Sequence, residues 1–163
     1  MGRLTALALT MAAAASPAGA VDIVAYSGPP PGTIVIHTQE RQLFLTLEDG
    51  KALRYSVGVG RLAEQWTGTA VIADMFVLPN WVPPQAVRRD NPALPEVIAG
   101  GASNNPLGAA AMTLTGGSYA IHGTNRPESI GGFVSYGCIR MDNADIVDLY
   151  DRVRPGTTVI VTN

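Results

Sequence analysis

Hydrophobic and polar residues alternate with a period of two over much of this chain, in short runs broken by turn formers. From Thr33 to Val59 the runs are Thr33-Ile34-Val35-Ile36-His37, Gln42-Leu43-Phe44-Leu45-Thr46-Leu47, and Ala52 to Val59 after Glu48-Asp49-Gly50. A period of two sends successive side chains to opposite faces, so Leu43, Leu45 and Leu47 share one face, as a half-buried strand requires. The turns between the runs predict an antiparallel meander. Further strands are expected over Thr69 to Val77, Ala111 to Thr115, Ser118 to Ile121 and Thr157 to Val161, with Gly116-Gly117 as a tight turn. Only near the end does the period lengthen. There Ile146, Leu149, Tyr150 and Val153 recur at helical spacing, with Asp142 or Asn143 as the N-cap and Asp145 in the first turn. Arg152 and Arg154 suit the C-terminal end electrostatically, and Pro155-Gly156 stops the helix. Many strands and one helix predict a mostly β domain, a β-sandwich of mixed short strands with a single helix near the C-terminus.

Two stretches lack a period. Pro79 to Gly108 is rich in proline and glycine and reads as a long loop; Trp81, Val82 and Leu94 give it apolar anchors, which favours a lid over a solvated linker. Residues 21–32, with Gly28-Pro29-Pro30-Pro31-Gly32, read as a linker before a domain spanning residues 33–163. The first 20 residues have a different character: Arg3, the apolar run from Leu4 to Ala15, and Ala18-Gly19-Ala20 form the pattern of a signal peptide cleaved after Ala20. The run is shorter than the roughly 20 residues a spanning helix needs, so no membrane anchor is expected after cleavage. The expected location is outside the cytoplasm, in the periplasm or cell envelope.

A net charge of −2 and a single lysine argue against nucleic acid as a partner, because no basic cluster exists to displace counterions from phosphates. The one cysteine, Cys138, has no second thiol in the chain to pair with in an oxidising compartment. It is either buried or used. Two histidines and one cysteine lack metal-ligand spacing, so neither a metal nor an organic cofactor is expected. Phosphate-binding loops, dinucleotide fingerprints and Gly-x-Ser-x-Gly elbows are missing from the sequence.

Chemically distinctive residues concentrate in Tyr119-Ala120-Ile121-His122-Gly123-Thr124-Asn125-Arg126-Pro127 and Ser135-Tyr136-Gly137-Cys138-Ile139-Arg140-Met141. A thiol is mostly protonated at neutral pH and needs a base or a positive charge to act as a nucleophile; His122 and Arg140 are the candidates. Gly137 lets a carbonyl approach the backbone, where the Gly137 and Cys138 N–H groups are candidate oxyanion donors. His37, in an early strand, reads as structural.

These two segments resemble the L,D-transpeptidase catalytic domain, also called the YkuD domain. That family's motif runs from His-Gly through Ser-His-Gly-Cys to an Arg or Asn, here His122-Gly123, Ser135-Tyr136-Gly137-Cys138 and Arg140. The likeness extends from about Thr33 to Val161 and takes in Trp81-Val82-Pro83-Pro84 and Asn105-Pro106-Leu107-Gly108. It departs at Tyr136, where the family has a second histidine, and at Gln65-Trp66-Thr67-Gly68-Thr69-Ala70, where the family has Thr-Pro-x-Gly-x-Phe. The resemblance implies Cys138 as nucleophile, His122 as base, and Gly123 and Tyr136 as orienting or wall residues. It also implies Arg140, Ser135, Thr124, Asn125 and Trp81 as substrate contacts. The implied substrates are peptidoglycan stem peptides, as acyl donor and as amine acceptor. Two alternatives stay open on sequence: water resolving the thioester, as in an L,D-carboxypeptidase or crosslink hydrolase, and a peptidoglycan-binding module without chemistry.

Overall fold

The computed structural model describes residues 21–163, so the expected signal peptide lies outside the described residues. The meander is present as β2 (Ile34–His37), β3 (Gln42–Leu47) and β4 (Lys51–Ser56), paired antiparallel with Leu43 opposite both Ile36 and Tyr55. Both faces of β3 are buried rather than one. Leu43 and Leu45 enter the main core, while Phe44 packs with Val35 and Ala52 in a second cluster closed by Val24 and Tyr26. Tyr26 follows β1 (Asp22–Ala25), a strand formed where the sequence pattern reads as linker. It pairs antiparallel with the outer edge of β4.

Two strands turn this meander into a sandwich. The last one, β11 (Thr158–Thr162), lies parallel to β2 and antiparallel to the first part of β6 (Gly68–Val77). The second part of β6 pairs with β7 (Ala110–Leu114) after a register shift between Ile72 and Met75. Such an irregularity bends the strand and lets one sheet curl over on itself. Threonine hydroxyls take up the displaced donors, the Val71 N–H on Thr115 Oγ1 at 3.0 Å and the Asp74 N–H on Thr113 Oγ1 at 3.1 Å. Beyond β7 lie β8 (Ala120–His122) and β10 (Ile139–Arg140), which complete a nine-stranded sheet in the order β1-β4-β3-β2-β11-β6-β7-β8-β10. Ile36, Leu43 and Tyr55 from one half meet Met112, Ile121 and Ile139 from the other in one core.

The expected helix is α2 (Asn143–Arg152), capped by the Asp142 carboxylate on the Ala144 N–H and buried through Ile146 and Leu149. A second helix, α1 (Gln85–Asp90), stands within the long loop and corrects the expectation of a single helix. A two-stranded ribbon pairs β5 (Val59–Gly60) with β9 (Phe133–Ser135) beside the open end of the sheet, next to β10. No helix among the described residues is long and apolar enough to cross a membrane.

Candidate active site

Strands β8 and β10 run parallel, with Ile139 opposite Ile121 and Arg140 opposite His122. Cys138, immediately before β10, and His122, at the end of β8, are therefore diagonal neighbours, and both line one cleft of about 330 Å³. The cysteine is half-buried and free. Its thiol lies 4.0 Å from the Ser118 carbonyl oxygen, and the imidazole is not its hydrogen-bond partner at rest among the described residues. Burial pushes the Cys138 thiol above its ordinary pKa, opposed by the Ala120 backbone and the Arg140 charge.

The turn before the nucleophile is fixed by Ser135. Its hydroxyl donates to the Cys138 carbonyl at 2.6 Å and accepts from the Gly137 N–H at 3.1 Å. Ser135 thus braces the turn from within while also lining the cleft, and the Gly137 N–H expected as an oxyanion donor is already committed. Gly137 has φ +108°, a conformation that side chains disfavour, and a Cβ there would overlap the ring of Tyr119.

His122 is 5 % exposed. Its Nδ1 lies 2.6 Å from the Gly123 carbonyl oxygen, as the sequence reading expects. A carbonyl only accepts, so Nδ1 carries the proton and Nε2 of the neutral ring is left as a base. Burial, reinforced by Arg140 and only partly offset by the carbonyls of Gly123 and Pro106, brings the imidazole pKa down to about 4.

The segment carrying this carbonyl is clamped by Asn143, which the sequence reading treats only as a helix cap. Its Oδ1 accepts from the Ala109 N–H at 3.0 Å and the Thr124 N–H at 3.1 Å, and its Nδ2 donates to the Thr124 carbonyl at 2.9 Å. The clamp requires glycine on both sides, since a Cβ on Gly108 or Gly123 would overlap Asn143 Oδ1. Nothing local in the sequence signals these contacts, which join three separate segments.

The long loop is folded and forms one wall of the cleft through Trp81, Pro84, Gln85, Ala86, Val87, Pro106 and Leu107. Trp81 and Ile98 exchange backbone hydrogen bonds of 2.8 Å, and buried Asn105 ties Pro79 and Ala99 together through Nδ2. Val82, expected as an anchor, is 62 % exposed, and that role falls instead to Ile98 and Asn105.

A family model of the L,D-transpeptidase catalytic domain, YkuD, matches residues 31–161. The chain belongs to this family. It is 34% identical over 136 residues to YqjB of Bacillus subtilis (strain 168), covering 80% of this chain and 70% of that protein. It is 36% identical over 140 residues to YcfS of Escherichia coli (strain K12), covering 80% of this chain but 43% of that protein. Both relatives carry L,D-transpeptidase names. An L,D-transpeptidase from Mycobacterium smegmatis superposes with a TM-score of 0.63 at 19% identity, over 80% of this chain and 58% of that one. At that identity the shared property is the fold.

Within this L,D-transpeptidase domain, Arg140 lines the cleft beside Cys138 and His122. Its Nε is buried without a hydrogen-bond partner among the described residues, and its Nη1 is 3.5 Å from Ser129 Oγ. Tyr136, in place of the family histidine, turns its hydroxyl to the Asp90 carboxylate at the end of α1, and the Arg61 guanidinium sits 4.0 Å over its ring. The phenol therefore joins the nucleophile turn to the loop wall. Thr124 and Asn125 do not line the cleft. Thr124 Oγ1 accepts from the Arg126 N–H at 3.0 Å, and Asn125 Nδ2 donates to the Ser103 carbonyl at 3.5 Å, so both serve the backbone around the site. His37 is structural, held by the Tyr26 hydroxyl at 3.1 Å and the Thr162 hydroxyl at 3.0 Å. No group of three or more His, Cys, Asp or Glu side chains suited to a metal occurs among the described residues.

Proposed function

We propose that this domain is a peptidoglycan L,D-transpeptidase of the periplasm or cell envelope, acting through a Cys138 thioester. The reading is carried by one observation: Cys138 and His122 share a cleft, and Gly123 holds the imidazole in the tautomer whose Nε2 can take a proton. In this scheme a rotation of the cysteine side chain brings Sγ from Ser118 to Nε2, which takes the thiol proton as the sulfur attacks the donor carbonyl. The donor bond is the one after the L-centre of the third stem residue. The Cys138 N–H faces the developing oxyanion, and the Arg140 guanidinium, which lines the cleft, supplies positive charge toward a carboxylate or carbonyl oxygen of the stem. The imidazolium returns its proton to the departing amine of the terminal D-alanine. An amine of a second stem then attacks the thioester carbonyl, gives up its proton to His122, and releases Cys138 with a new amide bond formed.

Intact mass after exposure to a carbapenem tests the nucleophile: the wild-type chain gains one drug mass and Cys138→Ala gains none. A folded wild-type sample that stays unmodified overturns the assignment. Incubation with tetrapeptide stems then reads the acceptor, crosslinked dimers supporting transfer and free tripeptide alone showing hydrolysis instead.

A further inference from the structure

The nucleophile turn is held from outside by a residue that family resemblance does not point to. Trp66 lies between β5 and β6, within the segment that departs from the family pattern. Its indole Nε1 donates to the Gly137 carbonyl at 3.0 Å. Indole N–H is a donor only, so the direction of this bond is unambiguous. The same indole stacks on Tyr119, with ring centroids 4.9 Å apart and planes 6° from parallel. Tyr119 in turn occupies the space where a Cβ on Gly137 would lie. Trp66 thus meets Gly137 twice, directly at the carbonyl and through Tyr119 at the α-carbon.

The consequence follows from peptide geometry. The Gly137 carbonyl and the Cys138 N–H belong to one planar trans unit and point in opposite directions. Fixing the carbonyl on Trp66 fixes the N–H on the other side. Ser135 has already taken the Gly137 N–H and the Cys138 carbonyl, so of the backbone groups of Gly137 and Cys138 only the Cys138 N–H is left without an intramolecular partner among the described residues. A peptide plane flanking a glycine at φ +108° has freedom to rotate, and an oxyanion donor is useful only when pre-set. We infer that Trp66 is a positioning residue for acylation, holding the Gly137–Cys138 peptide so that its N–H is aimed at the oxyanion formed on Cys138. This role rests on the thioester reading above.

The test replaces Trp66 by β-(3-benzothienyl)alanine, which keeps the bicyclic ring and its stacking but has sulfur in place of the N–H, with Trp66→Phe as a second variant. Two rates are compared at one pH: acylation of Cys138 by meropenem, which develops an oxyanion, and alkylation by iodoacetamide, which needs only the thiolate. Expected is a fall in acylation of about tenfold or more, since a lost oxyanion donor costs on the order of 100-fold and a misaimed one less, with alkylation unchanged. Unchanged acylation in both variants overturns the role. So does a parallel fall of both rates, which would mean that Trp66 only supports the fold. If the wild-type chain forms no meropenem adduct, the thioester reading itself fails and the role with it; a wild-type adduct with unaffected variants overturns the role alone.

Discussion

At neutral pH the Cys138 thiol and the His122 imidazole both rest uncharged, because burial acts against the charged form of each. In the proposed reaction, proton transfer therefore belongs to the encounter with substrate, when the developing thiolate and imidazolium stabilise each other. The same burial has a consequence for stability. His122 titrates near 6.5 in an unfolded chain but at about 4 in place, so between these values the unfolded state binds more protons than the folded one. Its contribution is fully present at pH 7, declines as the pH falls below 6.5, and levels off below about 4. The size is roughly 3 kcal/mol for a shift of this kind. Denaturant unfolding of the wild type and of His122→Gln at pH 7 and pH 4 measures it: the wild type should lose more stability between the two. Equal losses would mean that the imidazole is not buried as described. His122 and Cys138, which share one cleft, stand out in the sequence as candidates because their types and neighbours match a motif, whereas the commitment of Gly137 N–H to Ser135 needed the conformation of the turn.

Elements matter here by bringing backbone from distant segments to one side chain. The start of α2 was legible from Asp142 and the spacing of Ile146 and Leu149, yet its chemical importance lies in Asn143, whose partners are 19 and 34 residues away. Helix α1 escaped the sequence reading for a different reason. It has six residues, none buried, and so imposes no apolar period on the chain. It is held instead at its ends and flanks, by Arg88 on the carbonyls of Pro83 and Glu96 and by Asp90 on Tyr136. Of these two devices, the Asn143 clamp bears more directly on the site, because it holds the Thr124 N–H of the same peptide unit as the Gly123 carbonyl that orients His122. Asn143→Ala removes three hydrogen bonds and leaves two backbone N–H groups and one carbonyl without this partner. At about 1 kcal/mol for each, the expected destabilisation is roughly 3 kcal/mol in denaturant unfolding. The surviving folded protein should also acylate more slowly, since the peptide whose carbonyl orients the imidazole is held less firmly. A loss of stability well below that, with acylation intact, would reduce Asn143 to an ordinary first-turn residue.

For the molecule as a whole, the meander and the strands that carry the cleft are joined through β11. It lies parallel to β2 on one side and antiparallel to β6 on the other, so the N-terminal half of the sheet is complete only when the last strand is added. The strand itself was legible from Thr157 to Val161, but its place was not, because alternation gives a strand its faces and says nothing about its neighbours. The same limit hid the pairing of β8, a strand expected over Ser118 to Ile121, with β10, whose two residues are too few for a periodic signal. Burial shows how much depends on β11: Val159 and Val161 are essentially inaccessible and touch the core shared by both halves. At the opposite extreme, β1 is an edge strand among the described residues, with Ile23 66 % exposed and β4 as its sheet partner there. Truncation should separate the two cases. Removing residues 158–163 exposes unpaired backbone on both β2 and β6 and is expected to abolish the cooperative thermal transition and the near-ultraviolet dichroism of the packed aromatics. Removing residues 21–25 exposes one edge of β4 and should leave a single cooperative transition at lower temperature, with Cys138 still open to acylation. If instead the chain without β11 melts cooperatively, the two halves of the sheet fold independently, and the cleft between β8 and the long loop does not need the closure that β11 provides.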